Sequence, residues 1–100
     1  MIKTITPIKT ITPNKIKTLR KKFDLTQDEL AAIIGVHTMT ISKYERDILK
    51  PNIYQMEILK SFYIAAKHTN IIPKQVLKES GAIYTLYYVL QATYHPNPIK

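Results

Sequence analysis

The chain has 100 residues, a formal net charge of +8 and no cysteine. That length suits one domain with a modest core. The missing thiols exclude disulfides and thiolate metal sites, and no stretch reaches the roughly 20 apolar residues of a bilayer span. The charge is uneven. Seven basic residues and no acid lie between Met1 and Phe23, whereas eight basic and seven acidic residues follow from Asp24 onward. A positive field concentrated at one end suits a polyanion, either nucleic acid or an acidic membrane surface.

The first thirteen residues hold a direct repeat, Ile2-Lys3-Thr4-Ile5-Thr6-Pro7 and then Ile8-Lys9-Thr10-Ile11-Thr12-Pro13. β-Branched residues and prolines disfavour helix, so residues 1–12 are expected to form a basic extended arm outside the core. A minor-groove contact, a strand shared across a dimer and disorder without ligand all remain open for this arm.

Thr12 and Pro13 make a cap and a first helical position, and Ile16, Leu19 and Phe23 follow as one apolar stripe. Thr26-Gln27-Asp28-Glu29 has the form of a capping box. It opens a second helix with Leu30, Ala31, Ile33 and Ile34 inward, closed by Gly35. A third helix is expected over about Thr38 to Arg46, with Ile41 and Tyr44 inward. Asn52 caps a fourth, whose stripe reads Ile53, Met56, Leu59 and Tyr63. Pro73 opens a fifth helix, with Val76 and Leu77 inward. After the Ser80-Gly81 break, a sixth runs from about Ala82 to Thr93 with the stripe Ile83, Leu86, Tyr87, Leu90 and Tyr94. The tail from His95 is expected to be irregular. The expected class is all-α, a bundle of five to six helices, with an arm at 1–12, a helix-turn-helix domain at 13–70 and C-terminal helices and tail at 71–100.

The spacing over Gln27 to Tyr44 suits two short helices crossing steeply after a tight turn. Gly35 makes the turn, Ala31 is the small residue at the crossing, and Leu30, Ile34, Val36, Ile41 and Tyr44 plug the core. The outer face of the third helix is then left to enter a major groove.

The run from Leu19 through Ala31, Ile33-Ile34-Gly35-Val36, Thr40 to Arg46, and Pro51 resembles the XRE family, the lambda-repressor and Cro-like helix-turn-helix regulators. The resemblance covers about Ile16 to Ala66. It implies base contacts from Thr38, Met39, Thr40 and Lys43. It implies phosphate contacts from Thr26, Gln27, Arg46, Lys50 and Asn52, and a buried ion pair between Arg20 and Glu45. Lys15, Lys17, Lys21 and Lys22 are further candidates for phosphate neutralisation. The sequence departs from the family pattern in three places. His37 stands where a Ser or Thr cap is usual, Asp47 stands where glycine is usual, and Thr38 and Met39 replace glutamines.

The last helix carries more apolar surface than one packed face requires. Beyond packing onto helices 1 and 4, a two-fold dimer contact through Ile83, Leu86, Tyr87, Leu90 and Tyr94 is expected, because tyrosine buries area while keeping a polar handle. His37, His68 and His95 have no metal-ligand spacing. No catalytic triad, paired-carboxylate site or glycine-rich phosphate loop is present, so no metal, cofactor or enzymatic activity is expected. The resulting expectation is a cytoplasmic, nucleoid-associated repressor. It would bind double-stranded DNA as a homodimer on a (pseudo)palindromic operator, with little room for a separate sensor domain. Two alternatives are an antitoxin, whose partner would be a toxin, and a protein-binding adaptor, whose partner would be a polymerase subunit.

Overall fold

The computed structural model describes residues 10–68 and 70–94, the last of these by its backbone alone, and among them it holds six helices and no strand. The all-α expectation therefore holds. The first copy of the repeat up to residue 9 and the tail from residue 95, with the expectations placed on them, lie outside the described residues.

Helix α1 (Pro13–Lys22) begins where Thr12 Oγ1 accepts the Lys15 amide at 3.2 Å, with Pro13 presetting the first turn. It buries Ile16 and Leu19, and Phe23 at its C-cap meets Phe62 edge-on at 6.4 Å between centroids. Helix α2 (Gln27–Ile34) opens on a complete capping box. Thr26 Oγ1 accepts the Glu29 amide at 3.0 Å, and Glu29 Oε1 accepts the Thr26 amide at 2.9 Å. It closes on Gly35 at φ 81°, in the left-handed region. An added Cβ would meet nothing within 4 Å there, so backbone conformation rather than space requires glycine. Helix α3 (Thr38–Glu45) follows after a three-residue bend, residues 35–37. Helix α4 (Ile53–His68) is capped by Asn52, whose Oδ1 accepts the Gln55 amide at 2.8 Å. Helices α5 (Pro73–Ser80) and α6 (Ala82–Tyr94) are joined through Gly81 at φ 91°.

The core is one cluster. It includes Ile16, Leu19, Leu30, Ile41, Leu59, Phe62 and Val89, all essentially inaccessible to solvent. Each such side chain contributes about 1.5–3 kcal/mol of burial. The arm expectation needs one correction. Ile11 is only 4% exposed and belongs to this core, with its amide against Met56 Sδ at 3.1 Å. The physical reason is that Ile11 precedes the Thr12 cap by one residue, close enough for its side chain to fall onto the opening turn of α4.

Two stripes also need correction. In α4 the buried residues are Ile58, Leu59, Ser61, Phe62, Ala65 and Ala66, whereas Ile53 is 81% exposed. Met56 and Tyr63 pack only partly against the core. This helix is packed on both α1 and α6, so its inner surface faces two neighbours, and Ala65 and Ala66 allow the close approach. In α6 the fully buried residues are Thr85 and Val89, while Ile83 is 87% and Tyr87 55% exposed. Leu86 and Leu90 are half-buried. Having no charged residue, α6 carries no polar face to mark its outside. Thr85 tolerates burial because its hydroxyl donates to the Gly81 carbonyl at 2.7 Å. Helix α6 lies against α4, α5 and α2. Thr93 ties it to α4 by donating to the Ser61 carbonyl at 3.1 Å. In α5, Val76 and Leu77 are half-buried, with Leu77 against the core.

Candidate nucleic-acid interface

The α2–turn–α3 unit is built from the inside outward. Leu30, Ala31, Ile33 and Ile34 of α2 and Ile41 and Tyr44 of α3 are buried. Ala31 is 2% exposed, and its carbonyl accepts the Gly35 amide at 2.9 Å and the Val36 amide at 3.0 Å. These two bonds close the turn and direct the chain across α2. With Ile41 and Tyr44 inward, helical periodicity puts Met39, Lys43 and Arg46 on the outer side. Met39 is 63% exposed, Lys43 and Thr40 are half-buried, and Thr38 and Arg46 are exposed.

A buried polar knot fixes the pose of α3. Arg20 on α1 donates from its Nε to Glu45 Oε2 at 2.7 Å and from a terminal nitrogen to Glu45 Oε1 at 3.0 Å. Its other terminal nitrogen donates to the Leu25 carbonyl at 3.1 Å. Gln27 Nε2 adds a third bond to the same carboxylate, at 3.1 Å. The Glu45 side chain is 3% exposed and that of Arg20 17%. Such a two-pronged, charge-assisted contact fixes orientation as well as distance. The hydrogen bond from Glu45 raises the pKa of Arg20, although burial opposes it. Burial also raises that of the Tyr44 phenol.

The residues implied as phosphate contacts divide by environment. The Thr26 hydroxyl accepts within the capping box. Gln27 has committed one amide proton to Glu45. Arg46 donates from Nε to Ser42 Oγ at 3.2 Å, and the exposed Lys50 lies 3.5 Å from Asp47. Asn52 uses its oxygen as a cap, which leaves its amide protons. Lys21 is exposed. Lys22 is set apart, lining a groove between α1 and α4 with Thr18, Tyr63, Ala66 and Lys67. On that side of α1, Lys15 and Lys67 place their ammonium groups 5.5 and 5.6 Å from the Tyr63 ring centre. Asp47 occupies the left-handed region at φ 62°, where glycine is cheapest.

A helix-turn-helix family model matches residues 16–59. The chain carries an XRE-family helix-turn-helix domain. It is thus a DNA-binding regulator of transcription, a domain type that is regulatory rather than enzymatic. No curated protein and no solved structure matches it. Among the described residues, no helix is long and apolar enough to cross a membrane, and no group of His, Asp and Glu could hold a metal ion.

Two features of the XRE domain escaped sequence reasoning. Thr38 Oγ1 donates to Asp28 Oδ1, joining the first turns of α3 and α2. Lys74 of α5 donates to the Asp24 carbonyl at 2.7 Å and lies 3.3 Å from Glu29 Oε1. The Thr26 amide, the largest influence, holds the Glu29 carboxyl below the ordinary carboxylate range; burial, the next largest, opposes it, and Lys74 and the Thr26 hydroxyl add to the lowering. Both contacts cross between elements, and no local spacing encodes them. The unusual His37, which caps α3 without a side-chain hydrogen bond, was the one available signal that the start of this helix is held differently.

Proposed function

We propose that this protein is a dimeric repressor that binds a (pseudo)palindromic operator, placing α3 of each protomer in a major groove. The observation that carries the reading is the outward face of α3. Thr38, Met39, Thr40 and Lys43 reach solvent while Ile41, Tyr44 and Glu45 hold the other side. Lys43 supplies donors for base edges, and Met39 offers apolar contact to a thymine methyl. Thr26, Gln27, Lys21, Arg46, Lys50 and Asn52 are the candidate phosphate contacts of this reading. Lys22 stands on the α4 side of α1 and is left out of this interface.

The dimer reading is supported by α6. Its sequence has no charge, and it leaves Ile83, Tyr84 and Tyr87 exposed. Leu86 and Leu90, with Tyr54 and Ile58 of α4, line a groove beside them. An exposed apolar patch of this kind is expected to be covered, and the proposed cover is α6 of a second copy. Two-fold symmetry would then set half-sites about 34 Å apart. A bound operator blocks polymerase, which makes repression the outcome.

Selection of bound sequences from a random DNA pool, followed by footprinting, tests the proposal. The selected site should be palindromic, and Met39→Ala with Lys43→Ala should abolish its footprint while the fold is retained. A specific footprint that survives the double substitution overturns the assignment of α3.

A further inference from the structure

We infer that Asp28 is a specificity-determining residue. It holds the Thr38 hydroxyl as a hydrogen-bond acceptor, so that the corner where α2 meets α3 selects a base bearing an exocyclic amino group in the major groove, adenine or cytosine. The inference rests on the reading of α3 as the groove-entering helix and adds a residue and a base chemistry to it.

The argument is a count of protons. A threonine hydroxyl has one proton to donate and two lone pairs to accept with, whereas an ionised carboxylate only accepts. The contact between Thr38 Oγ1 and Asp28 Oδ1 therefore uses the threonine proton. What remains at this corner is the lone pairs of Thr38 and those of Asp28. Unconstrained, a threonine hydroxyl turns either way and pairs with donor or acceptor base edges alike. Pinned by Asp28, it can only accept.

The base edges sort accordingly. In the major groove, adenine presents its N6 amino group and cytosine its N4 amino group, while guanine O6 and thymine O4 are acceptors. An acceptor-only corner gains a hydrogen bond from the first two and meets lone pairs on the others. Asp28 has no cation to blunt this preference, since it takes part in none of the ion pairs among the described residues. Thr38, Met39 and Asp28 are all exposed, so a base edge can approach. Position on the helix agrees. Thr38 lies three residues before the buried Ile41 and turns toward α2, whereas Met39 and Lys43 point away from the core. The corner thus reads a different base from the one under Lys43. A carboxylate at the rim also penalises misplaced phosphates, which is a repulsive contribution to specificity.

The test repeats the selection with the full-length wild-type chain, Asp28→Ala, Thr38→Val and Lys43→Ala. The wild type should enrich adenine or cytosine at one position of each half-site. Replacing that base with an analogue lacking the amino group should weaken binding about tenfold. Asp28→Ala and Thr38→Val should each relax that one position and leave the others unchanged, and the double variant should do no more than either alone. Wild-type and Asp28→Ala pools with identical preferences at every position overturn this inference alone. A wild type that enriches no sequence, or an enriched site indifferent to Lys43→Ala, overturns the groove reading and this inference with it.

Discussion

Helices α2–α3 and α5–α6 are both pairs joined at a positive-φ glycine, Gly35 at 81° and Gly81 at 91°, yet they are held in different ways. The first pair buries six apolar side chains from Leu30 to Tyr44, opens on a capping box and is locked to α1 through Arg20 and Glu45. The second opens on Ile72 with no side-chain cap and, among its described side chains, fully buries only Pro73, Thr85 and Val89. It is tied to the rest of the molecule through Lys74, Thr93 and the face of α6 that meets α2 and α4. The same local device therefore serves two purposes. Where both helices are pinned from inside, the outer face becomes a fixed template. Where the pair is pinned on one side only, the uncharged helix leaves Ile83, Tyr84 and Tyr87 exposed.

The sharpest way to break this contrast is to remove the pin. Arg20→Ala leaves the Glu45 carboxylate, whose side chain is 3% exposed, with the Gln27 amide but without its cation. Loss of one partner from such a pair costs about 3–5 kcal/mol. Urea denaturation should show that loss in the midpoint, and DNA binding should fall with it. An unmoved midpoint would mean that the knot does not hold α3.

The complementary change addresses the unfinished surface. Ile83→Asp with Tyr87→Asp alters two exposed positions, so the unfolding free energy of the monomer should move by about 0.5 kcal/mol or less per site. Sedimentation should nevertheless pass from dimer to monomer, and operator affinity should drop as the second half-site is lost. Retained dimers would place the two-fold contact elsewhere.

The smallest effect belongs to Glu29, the one carboxylate shared by both pairs through the capping box and Lys74. Its folded pKa is lowered. The stability it contributes is therefore fully present above its unfolded value and is lost as pH falls through the folded one. Glu29→Gln keeps a capping side chain but removes the charge. Because the site is partly solvated, the difference from wild type should be about a few tenths of a kcal/mol at neutral pH. It should vanish once the pH lies below the folded pKa. A difference that persists in acid would assign the effect to packing.

Much of the fold was legible residue by residue. Thr12-Pro13, the box at Thr26 and Glu29, Gly35, Asn52 and Pro73 all mark helix ends, because capping is settled within four residues of chain. The α2–α3 plugs were legible too, since a short helix with Ile41 and Tyr44 has one plausible inside. The stripes of α4 and α6 were not. Both helices are apolar on more than one side, so periodicity offers several solutions and only the neighbours choose among them. Ile11 was misplaced for a related reason, because β-branched residues next to proline look alike in an arm and in a core.

Local chain chemistry was enough to start and stop the helices, bend α2 into α3 and face Met39 and Lys43 outward, since each of those outcomes depends on backbone geometry within a turn or two. Folding in three dimensions had to supply the rest: the carboxylate of Glu45 between Arg20 and Gln27, the hydroxyl of Thr38 against Asp28, Lys74 on the α2 cap, and the side of α6 left open. These depend on which surfaces meet across distances in sequence that no local spacing records. A hydrogen bond there acquires its partner, and its direction, only when the helices have packed.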